Sequence, residues 1–192
     1  MGYIERKKRE RERVRQSILD AALNIAIAEG WNSVTIRKIS DAIEYTPPVI
    51  YEHFKNKDAL LNEMVLVGFR MLHESFNTTR KNESDPRKIL MTHSLNHWDF
   101  AVQHKELYQL MFSHERKRPS EELAEMVREL QDFFQELSTD GTKADELMFN
   151  WMCLQQGYIF FHILQMEPPS ELSSIPPKKL FENAIVRFLK GI

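Results

Sequence analysis

His93 and His97 stand four residues apart in MTHSLNHW, a spacing that sets both imidazoles on one face of a helix. Zinc uses such pairs but needs further ligands, and none is evident at ligand spacing, although His104 and His114 follow. No metal is assigned, and the pair is read as solvated or pocket-lining. The one cysteine, Cys153, lies in the apolar run WMCLQQGYIFF. It cannot form an internal disulfide, and its thiol is expected to be buried and inert. There is no Gly-rich phosphate loop, nucleophile elbow or paired-cysteine motif, and nothing fixes a Ser-His-Asp arrangement. Neither an enzyme nor a cofactor is expected.

A different chemistry is concentrated near the N-terminus. Thr35, Arg37, Tyr51, His53 and Lys57 are groups that reach phosphate oxygens, and they flank TPPVIYEHF with its paired Pro47 and Pro48. Residues 1–60 carry 11 basic and 9 acidic side chains, whereas the remainder carries 15 and 19, so a basic head precedes an acidic body. Seven of the basic residues fall within the first fifteen positions. That asymmetry suits a polyanionic partner.

Nearly every segment has helical period, and strand signals are almost absent. A first helix is expected from about Glu10 to Glu29, preceded by a basic, flexible tail over residues 1–9. Thr35 can cap a short second helix, and Asn56 a long fourth one from Lys57 to Arg80. Between them the two prolines open a third helix. A residue before proline avoids the helical region, so Pro47 is expected as cap and Pro48 as first helical residue. With Ile50 pointing inward, Pro48 and Glu52 point outward, and Val49 and Tyr51 lie on the flanks. Five further helices are read at about 86–103, 104–113, 119–138, 143–166 and 177–190. The fold class is therefore all-α with about nine helices: a three-helix helix-turn-helix domain, residues 1–56, on a larger helical regulatory and dimerisation domain, residues 57–192.

The run TIRKISDAIEYTPPVIYEHFKNKDALL, with the preceding AEGWNSVT, resembles the DNA-binding domain of TetR-family transcriptional regulators. Thr35, Ile39, Thr46, Tyr51, Phe54 and Lys57 fall where that family has Thr, Ile, Ser/Thr, Tyr, Phe and Lys. The match departs at Glu44, where a glycine is usual, so Glu44 is expected to adopt a left-handed conformation costing about 1 kcal/mol. On the residues and the resemblance together, the DNA-contacting set is Thr35, Arg37, Thr46, Pro47, Pro48, Val49, Tyr51, Glu52, His53 and Lys57. The stretches FAVQHKELYQLMF and LMFNWMCLQQGYIFFHI resemble the C-terminal region of a TetR/AcrR-type subgroup.

The resemblance implies a body that senses a small molecule and forms a homodimer. The eighth helix is apolar nearly all round, as a helix buried from both sides is. Gly157 permits close approach of another helix, and Phe160, Phe161, Phe181, Ile185 and Phe188 extend the expected dimer surface. His97, Trp98, Phe112, Trp151, Gln155 and Tyr158 are the expected ligand-binding set: apolar walls with a few polar groups. The partners implied are a double-stranded operator, a small lipophilic ligand and a second copy of the chain. No apolar stretch reaches membrane-spanning length and no signal peptide is evident, so a cytoplasmic protein is expected. The function read from these features is a DNA-binding regulator, a repressor released by ligand. The alternative is a constitutive DNA-binding dimer with a solid body.

Overall fold

A computed structural model describes residues 2–113, 120–138, 141–166, 168–169, 172 and 174–191. Among these residues there are nine α-helices and no strand. They are α1 (Tyr3–Glu29), α2 (Ile36–Ala42), α3 (Pro47–His53), α4 (Lys57–Asn82), α5 (Pro86–Gln103), α6 (Lys105–Ser113), α7 (Glu121–Leu137), α8 (Gly141–Ile163) and α9 (Pro177–Leu189). His114, noted above as a distant metal-ligand candidate, lies outside the described residues.

The helices form two compact units. One contains α1–α3, α4 as far as Gly68, and α6 from Glu106; the other contains the rest of α4 with α5 and α7–α9. Helix α4 begins at Lys57, the expected helix start, and the division between the units falls inside it, after Gly68.

In the first unit, Ile18, Ala22, Val34, Ile39, Ile50 and Leu60 are completely buried, with Phe54 beside them. Apart from Ala22, each such side chain contributes about 1.5–3 kcal/mol of burial, which holds the seven-residue helices α2 and α3, too short to persist alone, against α1. Helix α6 is tied to this unit by Trp31, whose Nε1 donates to the Glu106 carbonyl at 2.8 Å. Gly68 is buried against α6, and a Cβ there would stand 2.3 Å from Met111 Sδ, so a larger residue would require the Met111 side chain to move.

Two local expectations are revised here. Helix α1 starts at Tyr3, not near Glu10, so the basic head is helical. Lys, Arg and Glu are good helix formers, and pairs such as Arg13–Glu10 at 2.7 Å support the first turns. Helix α3 includes both prolines, with Thr46 as its extended cap at ψ 151°. The first amides of a helix need no intrahelical partner, so the second position tolerates proline as readily as the first. The steric bias acts on Thr46, while the ring of Pro47 itself sets a helical φ.

In the second unit, α8 buries one stripe, Ala144, Trp151, Gln155, Ile159 and Ile163, against its neighbours. Its opposite side is exposed in the single chain: Phe149 is 64% and Phe161 52% accessible, and Cys153 is exposed as well. The expectation of a buried thiol is corrected accordingly. An apolar sequence neighbourhood does not bury a side chain when nothing in the same chain covers that face.

Candidate nucleic-acid interface and ligand cleft

The turn between α2 and α3 aims the candidate reading helix. Glu44 takes φ 58°, the left-handed conformation expected where a glycine would be easier. Around it Tyr45 N donates to Ser40 O at 3.0 Å, and Ser40 Oγ donates to Arg37 O at 2.8 Å. Ile50 then anchors α3 inward, leaving Thr46, Pro47, Pro48, Tyr51 and Glu52 exposed and Val49 half-buried.

The other expected DNA-contacting groups lie at the start of α2, at the last turn of α3 and at the start of α4. Thr35 Oγ1 accepts from Lys38 N at 3.2 Å and so starts α2, while the Arg37 side chain is 89% accessible. Asn56 caps α4, its Oδ1 accepting from Ala59 N at 2.8 Å. Lys57 is held at the start of α4, where Nζ donates to the Trp31 carbonyl at 3.4 Å. His53, at the last turn of α3, has its pKa lowered by partial burial first and by the positive charges of Arg11 and Arg15 next. It is therefore biased toward the neutral, hydrogen-bonding form. Helix α3 thus offers an exposed first turn that is apolar, with the Tyr51 phenol and the Glu52 carboxylate exposed in the following turn.

The expected ligand residues divide three ways. His97, Trp151 and Gln155 are buried in the second unit, where His97 Nδ1 donates to Gln155 Oε1 at 3.3 Å and Trp151 Nε1 donates to Ser94 Oγ at 3.1 Å. His93 adjoins this cluster, its ring 5.5 Å from Trp151 and 5.0 Å from Phe76. Burial lowers the His93 pKa to about 3 and the His97 pKa to about 4, so both are neutral near pH 7. Among the described residues no group of three or more His, Cys, Asp or Glu side chains is placed to hold a metal ion.

Trp98 and Tyr158 line a cleft of about 700 Å³ between α5, α8 and α9. The Trp98 ring is sandwiched, 4.9 Å from His162 and 5.1 Å from Phe181. Val102, Lys105 and Leu180 also line the cleft, and the sequence alone did not single them out because α9 is brought beside the end of α5 only by the fold. Phe112 departs from the set. It belongs to the first unit, its ring 4.8 Å from Tyr108, so the apolar character of α6 serves that core.

The expected dimer residues also divide. Gly157 and Phe161 are exposed, and a Cβ at Gly157 would meet nothing within 4 Å. Phe160 and Phe188 are half-buried. Phe181 and Ile185 are fully buried in their own chain and present nothing to a partner, which corrects that part of the expectation. They occupy the inward stripe of α9, against α5 and α8.

Residues 18–64 match the sequence model of the bacterial regulatory proteins, tetR family. YobS of Bacillus subtilis (strain 168), an uncharacterized HTH-type transcriptional regulator, is 27% identical over 93 residues, covering 48% of this chain and 48% of its own. The class D tetracycline repressor protein of Escherichia coli is 33% identical over 70 residues, 36% of this chain and 32% of its own. The matches thus span less than half the length of these curated relatives. A solved structure of a TetR variant from Acinetobacter baumannii AYE, in complex with minocycline, is similar with a TM-score of 0.65 at 17% identity, over 90% of this chain and 94% of that one. At that identity the likeness is one of fold. Among the described residues no helix is long and apolar enough to cross a membrane.

Proposed function

We propose, from the match of residues 18–64 to the tetR family of bacterial regulatory proteins, that the protein is a transcriptional repressor. It binds a pseudo-palindromic DNA operator as a homodimer and is released by a small lipophilic molecule. The observation that carries the DNA reading is the α3 geometry: Ile50 is completely buried while Thr46, Pro47, Pro48, Tyr51 and Glu52 remain exposed. Such a helix can present its first turn to a major groove, with Thr35, Arg37 and Lys57 reaching phosphates beside it.

The apolar outer face of α8 supports the homodimer reading. Phe149 and Phe161 are each more than half exposed on the row of α8 that also carries the exposed Cys153 and Gly157, and a second copy would cover that row. The ligand reading is supported by the aromatic cleft at Trp98 and Tyr158, a volume suited to a drug-sized molecule. Ligand can act only by favouring one arrangement of the paired heads over another.

Selection from random duplexes tests the reading. It should return an inverted repeat whose half-sites are about 34–36 Å apart, or a multiple of that. A selected site without a dyad would overturn the dimer. Thermal unfolding in the presence of a panel of lipophilic compounds tests the sensor, because a ligand that binds the folded state raises Tm. Absence of any stabilising compound, with operator binding intact, would favour the constitutive dimer instead.

A further inference from the structure

The first buried residue of α1 is Val14, yet the helix begins at Tyr3. Eleven helical residues, Tyr3–Arg13, are therefore exposed on every side, a span of about 16 Å. Six of them are basic (Arg6, Lys7, Lys8, Arg9, Arg11 and Arg13) and three are acidic (Glu5, Glu10 and Glu12). Internal burial does not explain why a helix should extend so far.

The charges are sorted around this segment. At 100° per residue, Lys7, Lys8, Arg11 and Arg15 fall within an arc of about 100°, and Glu5, Glu10 and Glu12 fall outside it. Arg13 is engaged by Glu10, and Arg15 by Glu63 at 2.8 Å. Lys7, Lys8 and Arg11 have no carboxylate partner among the described residues. The arc also has a definite direction. The Arg15 guanidinium lies over the Phe54 ring, 5.2 Å from its centroid, and Phe54 closes the C-terminal end of α3. The basic stripe thus starts beside the reading helix and runs outward along α1.

We propose that Tyr3–Arg13 is a helical arm that lies against the sugar–phosphate backbone of the duplex flanking each half-site, through Lys7, Lys8 and Arg11. The inference rests on the DNA-binding reading above and adds a contact outside the major-groove site. Charge complementarity selects the occupant: a cationic arc running about 12 Å along the helix axis from Lys7 to Arg15 matches three or four phosphates of one strand, at about 3.4 Å each. Such contacts carry no sequence information, but they lengthen the footprint and steepen the salt dependence.

The test uses the full chain and two duplexes, the selected operator with ten-base-pair flanks and the same operator cut flush at its half-sites. Binding is followed by fluorescence anisotropy across a KCl series. The wild type should prefer the flanked duplex by on the order of tenfold, with a salt slope steeper by about 0.9 for each added phosphate contact. The Lys7→Gln/Lys8→Gln/Arg11→Gln variant should bind the two duplexes equally, with wild-type affinity for the flush one. Glutamine keeps the helix propensity, and circular dichroism checks that helicity is unchanged. Equal wild-type affinity and slope on both duplexes would overturn the arm while leaving operator recognition standing. Failure of the wild type to bind any selected duplex would sink the DNA-binding reading itself. Binding to anionic phospholipid vesicles without any flank effect would reassign the arm to a membrane surface and also overturn the proposal.

Discussion

Lys57 Nζ donates to the main-chain carbonyl of Trp31 at 3.4 Å, joining the start of α4 to the turn that follows α1. The long contact leaves the ammonium with spare donors while holding it at the start of α4, four residues after the end of α3. Lys57→Gln should therefore reduce operator affinity and lower the salt slope by about 0.9 per half-site. Thermal unfolding should change little, because one long, partly exposed hydrogen bond contributes about 1 kcal/mol or less. Anisotropy titrations at several salt concentrations check this, and an unchanged slope would remove Lys57 from the phosphate-contacting set.

Pro47, Pro48 and Val49 give the first turn of α3 an apolar surface that cannot donate to a base edge. Such a surface suits the C5-methyl of thymine. Replacing half-site thymines by uracil one at a time should weaken binding about fourfold at one position or more, the equivalent of one buried methyl. If no replacement matters, the prolines serve only to start the helix.

Glu44 occupies the left-handed region at φ 58°. Glu44→Gly should relieve about 1 kcal/mol of strain and raise Tm by roughly 2–4 °C. Glu44→Val should lower it, since a β-branched residue tolerates that conformation worse. Calorimetry of the two variants decides whether the turn is strained.

His93 and His97 make stability depend on pH with a definite sign. Their folded pKa values, about 3 and about 4, lie below the ordinary 6.5, so the unfolded chain binds more protons between those limits. Stability is intact above pH 6.5 and falls as the pH drops toward 4, by up to about 1.4 kcal/mol per pH unit for each histidine. His93→Phe, which preserves the ring contacts with Phe76 and Trp151, should flatten this dependence in urea unfolding between pH 4 and 7. An unchanged slope would mean that His93 can be protonated without unfolding.

Phe161 is half exposed on the outer face of α8, so Phe161→Asp should leave the single chain folded. In the dimer the carboxylate would face an apolar partner surface, and an unpaired buried charge costs several kcal/mol. Sedimentation should then show monomer where the wild type shows dimer, with operator affinity falling in parallel. A variant that remains dimeric would place the interface elsewhere.

The sequence alone determined the elements whose causes are local. Thr35 and Asn56 announce helix starts because their side chains accept from amides three residues on. Ile39, Ile50 and Phe54 announce a buried face by helical period, and Glu44 announces a left-handed turn by standing where a glycine is easier. The reading face of α3 follows from these, since one inward residue fixes the direction of its neighbours. Which apolar residues acquire a neighbour depends on packing between segments distant in the chain. Phe181 and Phe161 are indistinguishable by type, yet one is fully buried against Trp98 and the other faces outward. Phe112 and Trp98 look alike as pocket walls, but they belong to different compact units. Cys153 is exposed although its sequence neighbours are apolar. Hydrophobicity specifies that a side chain gains by leaving water, and it is non-directional, so it does not specify which surface will cover it.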